Sequence, residues 1–147
     1  SFVEQSGDAN PFDAIAIDGD GWIRMWVADW DGDLRLDLVV GRLDGSLMFF
    51  RGQDDGTVLR TPDVLDDVRV PKVASPCAVD WDGDGDVDLI LGDGIGDVHY
   101  FERVTGASLV ERTGAHDPFQ HIHGTAERAA VLSAIDWDKD GDLDLIF

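Results

Sequence analysis

Short apolar stretches alternate with glycine- and aspartate-rich turns along most of the chain. Runs rich in β-branched and aromatic side chains between such turns are typical of β-strands, and we identify no helix signal. Two groups of four strands are predicted, at residues 22–28, 36–40, 46–51 and 57–60, and at residues 75–79, 87–91, 97–103 and 107–112. The pattern therefore predicts an all-β protein made of short antiparallel strands.

Three segments share one sequence pattern. They read VADWDGDLRLDLVVG at 27–41, AVDWDGDGDVDLILG at 78–92 and AIDWDKDGDLDLIF at 134–147, and their first loop aspartates are Asp29, Asp80 and Asp136. Successive copies are 51 and 56 residues apart. Residues 1–40 also align without a gap onto residues 108–147, an offset of 107 that equals the two spacings together. The chain is thus predicted to be a tandem repeat.

The length of the repeat predicts its architecture. A unit of about 50 residues with four antiparallel strands has the size of one β-propeller blade. Residues 1–21 would then hold the last strand of a preceding blade and a linking loop, 22–73 and 74–128 two whole blades, and 129–147 the first half of a third. Because a propeller ring needs about four to eight blades, we expect a fragment of a longer repeat protein, or one unit of an oligomer or fibre.

The net charge of the chain argues against some classes of binding partner. Thirty-one acidic residues against 11 basic ones give a formal net charge of −20, which argues against nucleic acid or an anionic membrane as a partner. All but four of the acidic residues are aspartates, which favour turns and oxygen-rich metal loops. No apolar run approaches the roughly 20 residues of a membrane span. The lone Cys77 is predicted to be a buried free thiol.

The repeated aspartates are spaced like the ligands of a cation. Loop 2 (residues 80–88) has aspartates at positions 1, 3, 5 and 9, a glycine at position 6 for a sharp turn, and a carbonyl at position 7. Loop 3 (residues 136–144) repeats the scheme. The predicted ligands are Asp80, Asp82, Asp84, Asp86 and Asp88, and Asp136, Asp138, Asp140, Asp142 and Asp144, with Asp86 and Asp142 acting through their carbonyls. An all-oxygen set favours calcium over zinc, copper or magnesium.

Loop 1 (residues 29–37) departs from this scheme. It keeps the four acidic positions but has Leu34 in place of the glycine and Arg35 in place of the following aspartate. Leucine makes the turn harder, whereas any residue can supply a carbonyl. The predicted ligands are Asp29, Asp31, Asp33, Asp37 and the carbonyl of Arg35, so two or three calcium ions are expected in all.

An EF-hand is excluded, because its loop needs an acidic residue at position 12 between two helices. Position 12 here is Val40, Leu91 or Phe147, and a strand follows each loop. The D-x-D-x-D-G-x-x-D-L loop followed by an apolar strand and glycine resembles the FG-GAP or VCBS repeats of integrin-like β-propellers. This resemblance implies calcium in the hairpin between the first two strands of each blade. It also implies a mostly extracellular or cell-surface setting, with adhesive, ligand-binding or scaffolding roles.

Other residues suggest chemistry that we weigh against simpler interpretations. Trp30, Trp81 and Trp137 recur at position 2 of each loop, where they form either a sugar-stacking platform or, as we favour, packing between blades. His121 and His123 have a spacing that can bind a transition metal but lack a third ligand, so a polar loop role is favoured. The DGDG stretch at 18–21 is interpreted as a turn.

The sequence does not indicate an enzyme. There is no G-x-S-x-G string, and the acidic pairs recur in register with the repeats, as scaffolding does and a single active site does not. We expect a non-catalytic calcium-binding repeat protein serving extracellular structure, adhesion or assembly. Its expected partners are other copies or further repeats of the same protein, or protein or glycan ligands. The alternatives are a lectin-like module and a repeat region accessory to an enzyme domain elsewhere in a longer chain.

Overall fold

The structure, a computed structural model, describes residues 3–4, 6–7, 10–12, 15, 23–105, 108–124 and 129–147. These residues form two four-stranded antiparallel sheets and a two-stranded hairpin. Sheet A comprises β1 (Ile23–Ala28), β2 (Asp37–Arg42), β3 (Leu47–Gly52) and β4 (Val58–Arg60). Sheet B comprises β5 (Ser75–Val79), β6 (Asp88–Gly92), β7 (Val98–Thr105) and β8 (Ser108–Arg112). Hairpin C comprises β9 (Ser133–Ile135) and β10 (Asp144–Ile146).

The predicted all-β class and the antiparallel four-stranded sheets are confirmed. The eight strands predicted in the two groups of four are present, and their ends differ from the prediction by at most two residues where they can be compared. Sequence reasoning missed two short 3₁₀ helices, Val64–Asp67 and Gly114–His116. The first is capped by Asp63, whose carboxylate accepts the N–H of Leu65, so a turn signal was present in the sequence. The predicted preceding strand and the 18–21 turn fall largely or wholly outside the described residues.

The two sheets repeat each other residue by residue. Leu38 pairs with Phe50 between β2 and β3, and Leu89 pairs with Phe101 between β6 and β7, so the offset of 51 holds through the ladders. All of β6, and all of β2 except its last residue, are buried, because each is a central strand covered on both faces. This explains why their sequences are continuous apolar runs rather than alternating ones.

The core lies in layers between these sheets. Alternate side chains of β6 face opposite ways: Leu89 and Leu91 join Val39 and Phe49 in a cluster between sheets A and B, whereas Ile90 packs in a second cluster. The second cluster also holds Tyr100, Phe119 and Leu132 and lies between sheet B and hairpin C. Cys77 is buried there as predicted, and burial raises the pKa of its thiol to about 12, so the group stays protonated.

The close approach of successive units depends on a glycine near the end of each central strand, Gly41 in β2 and Gly92 in β6. A Cβ at Gly41 would lie 2.1 Å from the carbonyl oxygen of Ala74, and one at Gly92 would lie 2.3 Å from that of Ala130. These glycines occupy equivalent positions in the two repeats. The same backbone contact therefore recurs between sheet A and the start of sheet B, and between sheet B and the segment that leads into hairpin C.

The loops between the first two strands of each unit share left-handed residues at positions 4 and 6. Position 4 has positive φ in Gly32, Gly83 and Lys139. Position 6 has φ of 98° at Gly85, 103° at Gly141 and 69° at Leu34. The structure thus places Leu34 in the strained conformation that its sequence position indicated, since a Cβ disfavours this region.

We expect Gly41→Ala to lower the free energy of unfolding by about 1–3 kcal/mol, because the new methyl group has no space beside the Ala74 carbonyl. Urea denaturation followed by circular dichroism measures this. Gly56→Ala is the control, since Gly56 has positive φ but open space around its Cβ position, and it should cost only about 1 kcal/mol. Equal effects of the two variants would contradict the close-packing argument.

We expect Leu34→Gly to raise the free energy of unfolding by up to about 1 kcal/mol, measured in the presence of chelator. The left-handed conformation costs leucine about 1–2 kcal/mol, partly offset by the greater entropy of glycine in the unfolded chain. The leucine side chain is 93% exposed, so little packing is lost. The reverse exchange at the matched position, Gly85→Leu, should destabilise by a similar amount, and a loss of stability in both variants would contradict the strain.

Candidate metal centre

Antiparallel pairing brings the two ends of each aspartate loop together. Ala28 pairs with Asp37, Val79 with Asp88, and Ile135 with Asp144. Position 1 of each loop directly follows the first strand, and position 9 begins the second. Side chains from both ends of the loop are therefore held at the mouth of one hairpin, where they can meet a common centre.

The aspartate at position 9 has a structural role in every loop. Asp88 is 0% exposed, and its carboxylate accepts hydrogen bonds from the backbone N–H of Trp81 (3.1 Å), the N–H of Arg103 (2.8 Å) and the hydroxyl of Tyr100 (2.9 Å). Burial raises the pKa of this carboxyl, whereas the donors lower it. Burial and the neighbouring carboxylate also raise the pKa of Tyr100, so its hydroxyl stays protonated and donates.

Asp37 repeats this arrangement in sheet A. It is 1% exposed and accepts the N–H of Trp30 at 3.0 Å and that of Gly52 at 2.8 Å. Burial again raises the pKa of the carboxyl. In hairpin C, Asp144 accepts the N–H of Trp137 at 2.9 Å. Position 9 thus fixes the start of each loop, and in sheets A and B it also ties the loop to the third strand.

The aspartates at positions 1, 3 and 5 fold the loop onto itself. In loop 2, Asp80 accepts the N–H groups of Gly83 and Gly85, and Asp82 accepts that of Asp84. Asp84 in turn accepts the N–H of Asp86. Loop 3 repeats three of these bonds, from the N–H groups of Asp140, Gly141 and Asp142. These short-range bonds curl the loop, so that carboxylates close in sequence face one another.

Three carboxylates gather in each loop. Oxygen atoms of the following groups lie within 4.8 Å of one another: Asp29, Asp31 and Asp33; Asp80, Asp82 and Asp88; Asp136, Asp138 and Asp144. All nine are predicted ligands. The structure does not bring Asp37, Asp84 and Asp140 into these groups. The carbonyls of Arg35, Asp86 and Asp142 remain predicted ligands.

Loops 2 and 3 fit a hard cation. Two carboxylates about 4 Å apart repel by roughly 4 kcal/mol at an effective dielectric of about 20, so each group of three calls for positive charge. In the described part of the chain, no ion pair involves the aspartates of either loop. One buried carboxylate oxygen of Asp136 has no hydrogen-bond partner there, and the same is true of the equivalent Asp29 in loop 1. Carboxylate oxygens without sulfur or imidazole are the donors that calcium prefers.

Loop 1 contains positive charge of its own. A guanidinium nitrogen of Arg51 lies 2.6 Å from a carboxylate oxygen of Asp31 and 3.2 Å from one of Asp33. Arg35 pairs with Asp33 at 2.5 Å and with Asp54 at 2.8 Å. Although partial burial acts to raise the pKa of Asp33, the hydrogen bonds and charges of these two arginines outweigh it and lower the pKa. Sequence reasoning assigned Arg35 only a backbone role and missed Arg51.

The tryptophans at position 2 differ between the loops. Trp30 is buried, donates to a carboxylate oxygen of Asp63 at 3.1 Å and lies 4.0 Å beneath the guanidinium of Arg103. Trp81 packs edge-on against Phe119 with ring centroids 4.9 Å apart. Trp137 alone among the three is largely uncovered, at 73% exposure. Trp30 and Trp81 therefore pack within the structure. This is the interpretation that the sequence analysis favoured over a sugar-stacking platform.

The histidine pair at 121 and 123 lies apart from the loops. His123 is 3.6 Å from a carboxylate oxygen of Asp97, and both histidines are exposed. Among the described residues, the groups of three or more metal-binding side chains are the three aspartate groups alone. The histidines therefore show no ligand set of their own within that part of the chain.

No helix among the described residues is long and apolar enough to cross a membrane.

Comparison with known proteins agrees with the repeat pattern. No curated protein and no solved structure shows significant similarity to the chain. Residues 29–91, which run from the first aspartate of loop 1 to the penultimate residue of β6, match the family model described as FG-GAP-like repeat. Over this segment the chain is thus similar to FG-GAP-like repeats, and the resemblance predicted from the sequence is confirmed.

Proposed function

We propose that this chain is a non-catalytic, calcium-binding repeat module of β-propeller type, serving extracellular structure, adhesion or assembly. One observation carries the proposal: three carboxylates meet at equivalent places in loops 2 and 3. Calcium would be held by Asp80, Asp82 and Asp88 in loop 2, and by the matching aspartates in loop 3. The ion would supply the positive charge that these groups lack and would fix the hairpin between the first two strands.

The stacking of the repeats supports the propeller-type arrangement. Sheet A and sheet B meet through a core layer, and sheet B and hairpin C meet through a second one. The glycine contacts at Gly41 and Gly92 recur at both junctions. In this proposal the blades span residues 22–73 and 74–128, with the first half of a third at 129–147. Further repeats, or other copies of the chain, would then be its closest partners.

Two further features support a binding and structural role rather than catalysis. The carboxylate groups occur in register with the repeats, and Cys77 is buried with a raised pKa, so it is not an activated nucleophile. An extracellular or cell-surface setting is proposed from the FG-GAP-like segment. The lectin-like alternative gains no support from Trp30 or Trp81, whose rings pack within the structure.

We expect calcium to bind the chelator-treated chain at loops 2 and 3 and to raise its melting temperature. Binding to the folded state alone adds about 2.7 kcal/mol per site when free calcium is 100 times Kd. Calorimetric titration counts the sites, and thermal unfolding by circular dichroism measures the stabilisation. Magnesium is the control, and it should bind more weakly because it gives up its waters reluctantly. Absence of calcium binding, together with unchanged melting, would reject the proposal.

We expect Asp82→Asn and Asp138→Asn each to weaken calcium binding at one loop by at least about tenfold, or roughly 1.4 kcal/mol. Asparagine keeps the oxygen that accepts the neighbouring N–H but removes the charge that faces the cation. Titration of each variant would show one site with unchanged affinity and one weakened site. Asp67→Asn is the matched control, since it removes one exposed aspartate outside the loops. An equal loss of binding in the control would attribute the effect to overall charge.

A further inference from the structure

Arg51 lies across loop 1 where a cation would lie. One of its guanidinium nitrogens contacts the carboxylates of both Asp31 and Asp33, two of the three that gather in this loop. Arg35 adds a second guanidinium, at 2.5 Å from Asp33. Arginine is protonated at any physiological pH, so these charges are permanent. Loop 1 therefore keeps one clustered carboxylate, Asp29, without an ion-pair partner among the described residues, whereas loop 2 keeps three.

The register of the two sheets identifies the residue of sheet B that is equivalent to Arg51. Asp37 binds the N–H of Gly52, and Asp88 binds the N–H of Arg103, so the same point of the third strand lies beside each loop. The preceding residue is Arg51 in sheet A and Glu102 in sheet B. Glu102 forms an ion pair with Arg112 at 2.6 Å. One position thus carries opposite charges in the two repeats, and the surroundings differ as well, because the guanidinium of Arg103 is attracted by Asp86 and Asp88 and that of Arg112 by Asp82.

We propose that Arg51 is a built-in counter-ion that replaces the metal in loop 1, so that this loop folds without calcium while loops 2 and 3 require it. A divalent cation entering loop 1 would be repelled by both guanidinium groups and would have to displace their ion pairs. Position 51 and its equivalent would then decide, repeat by repeat, whether an aspartate loop takes a cation. The calcium responses of loops 2 and 3 rest on the proposed function, whereas the role of Arg51 does not.

An exposed arginine that pairs with aspartates often contributes little. The chain offers an internal comparison, because Arg69 pairs with Asp44 at 3.5 Å between two exposed side chains. Arg51 differs in contacting two carboxylates at once, and their side chains are 23% and 16% exposed, against 54% for Asp44. Removing its charge should therefore release a local repulsion, which removing the charge of Arg69 should not.

The first experiment counts calcium ions by calorimetric titration. The unaltered chain should bind two, and the double variant Arg35→Asp/Arg51→Glu, which gives sheet A the two residues found at the equivalent positions of sheet B, should bind three. Glu102→Arg should reduce the count to one, whereas Glu102→Gln, which breaks the pair with Arg112 without adding a guanidinium, should keep two. Three ions on the unaltered chain, or two ions on the folded double variant, would overturn the inference.

The second experiment does not depend on calcium at all. In chelator, Arg51→Met should lower the melting temperature by at least about 3 °C, on the scale expected for roughly 1 kcal/mol in a chain of this size. Arg69→Met should leave it nearly unchanged. Equal melting of Arg51→Met and the unaltered chain would overturn the counter-ion role even if loops 2 and 3 bind calcium. If no loop binds calcium but Arg51→Met is destabilised, the proposed function fails and the counter-ion role stands.

Discussion

The buried aspartate that begins the second strand of sheets A and B, Asp37 or Asp88, is the constraint on which the rest of the site depends. Its carboxylate accepts the N–H of the tryptophan at position 2, and in both sheets the N–H of a residue on the third strand. A buried carboxylate is costly unless it is fully hydrogen-bonded, so these donors fix its position. Loop, second strand and third strand are thereby locked together, and the other aspartates are held in a small volume.

Because these carboxylates lie close together, they repel one another strongly. Backbone N–H groups donate hydrogen bonds to some of the carboxylate oxygens and so curl the loop. They do not neutralise three negative charges in close contact. Among the described residues, the aspartates of loops 2 and 3 form no ion pair, whereas those of loop 1 pair with guanidinium groups from its own position 7 and from the third strand. The same backbone geometry thus occurs both with and without arginine ion pairs to the loop aspartates.

Contacts between the units keep this geometry repeated. The glycine near the end of each central strand lets the next unit approach to backbone contact. Trp26 donates to the carbonyl of Ala78, and Arg103 lies over the ring of Trp30 while donating to the carbonyl of Val87. The aromatic residues near loop 1 therefore join sheet A to sheet B, and the loops of neighbouring units lie side by side.

The sequence by itself determined the strands, their grouping in fours and the acidic loops. Short-range physics decides these features: apolar runs, turn residues and alternate carboxylates act over a few positions, and the offset of 51 carries over to the ladders. The burial of Cys77 followed for the same reason.

Only the tertiary structure decided which carboxylates gather, that Trp30 is buried under Arg103, and that Arg51 enters loop 1. These features depend on the curl of each loop, on strand pairing and on the packing of one sheet against the next. A side chain some 20 residues from its partner along the sequence carries no local signal of the contact. The sequence shows arginine at position 51 and glutamate at the equivalent position 102. Only the register of the sheets shows that both positions lie beside an aspartate loop, where the sign of the charge affects the carboxylates.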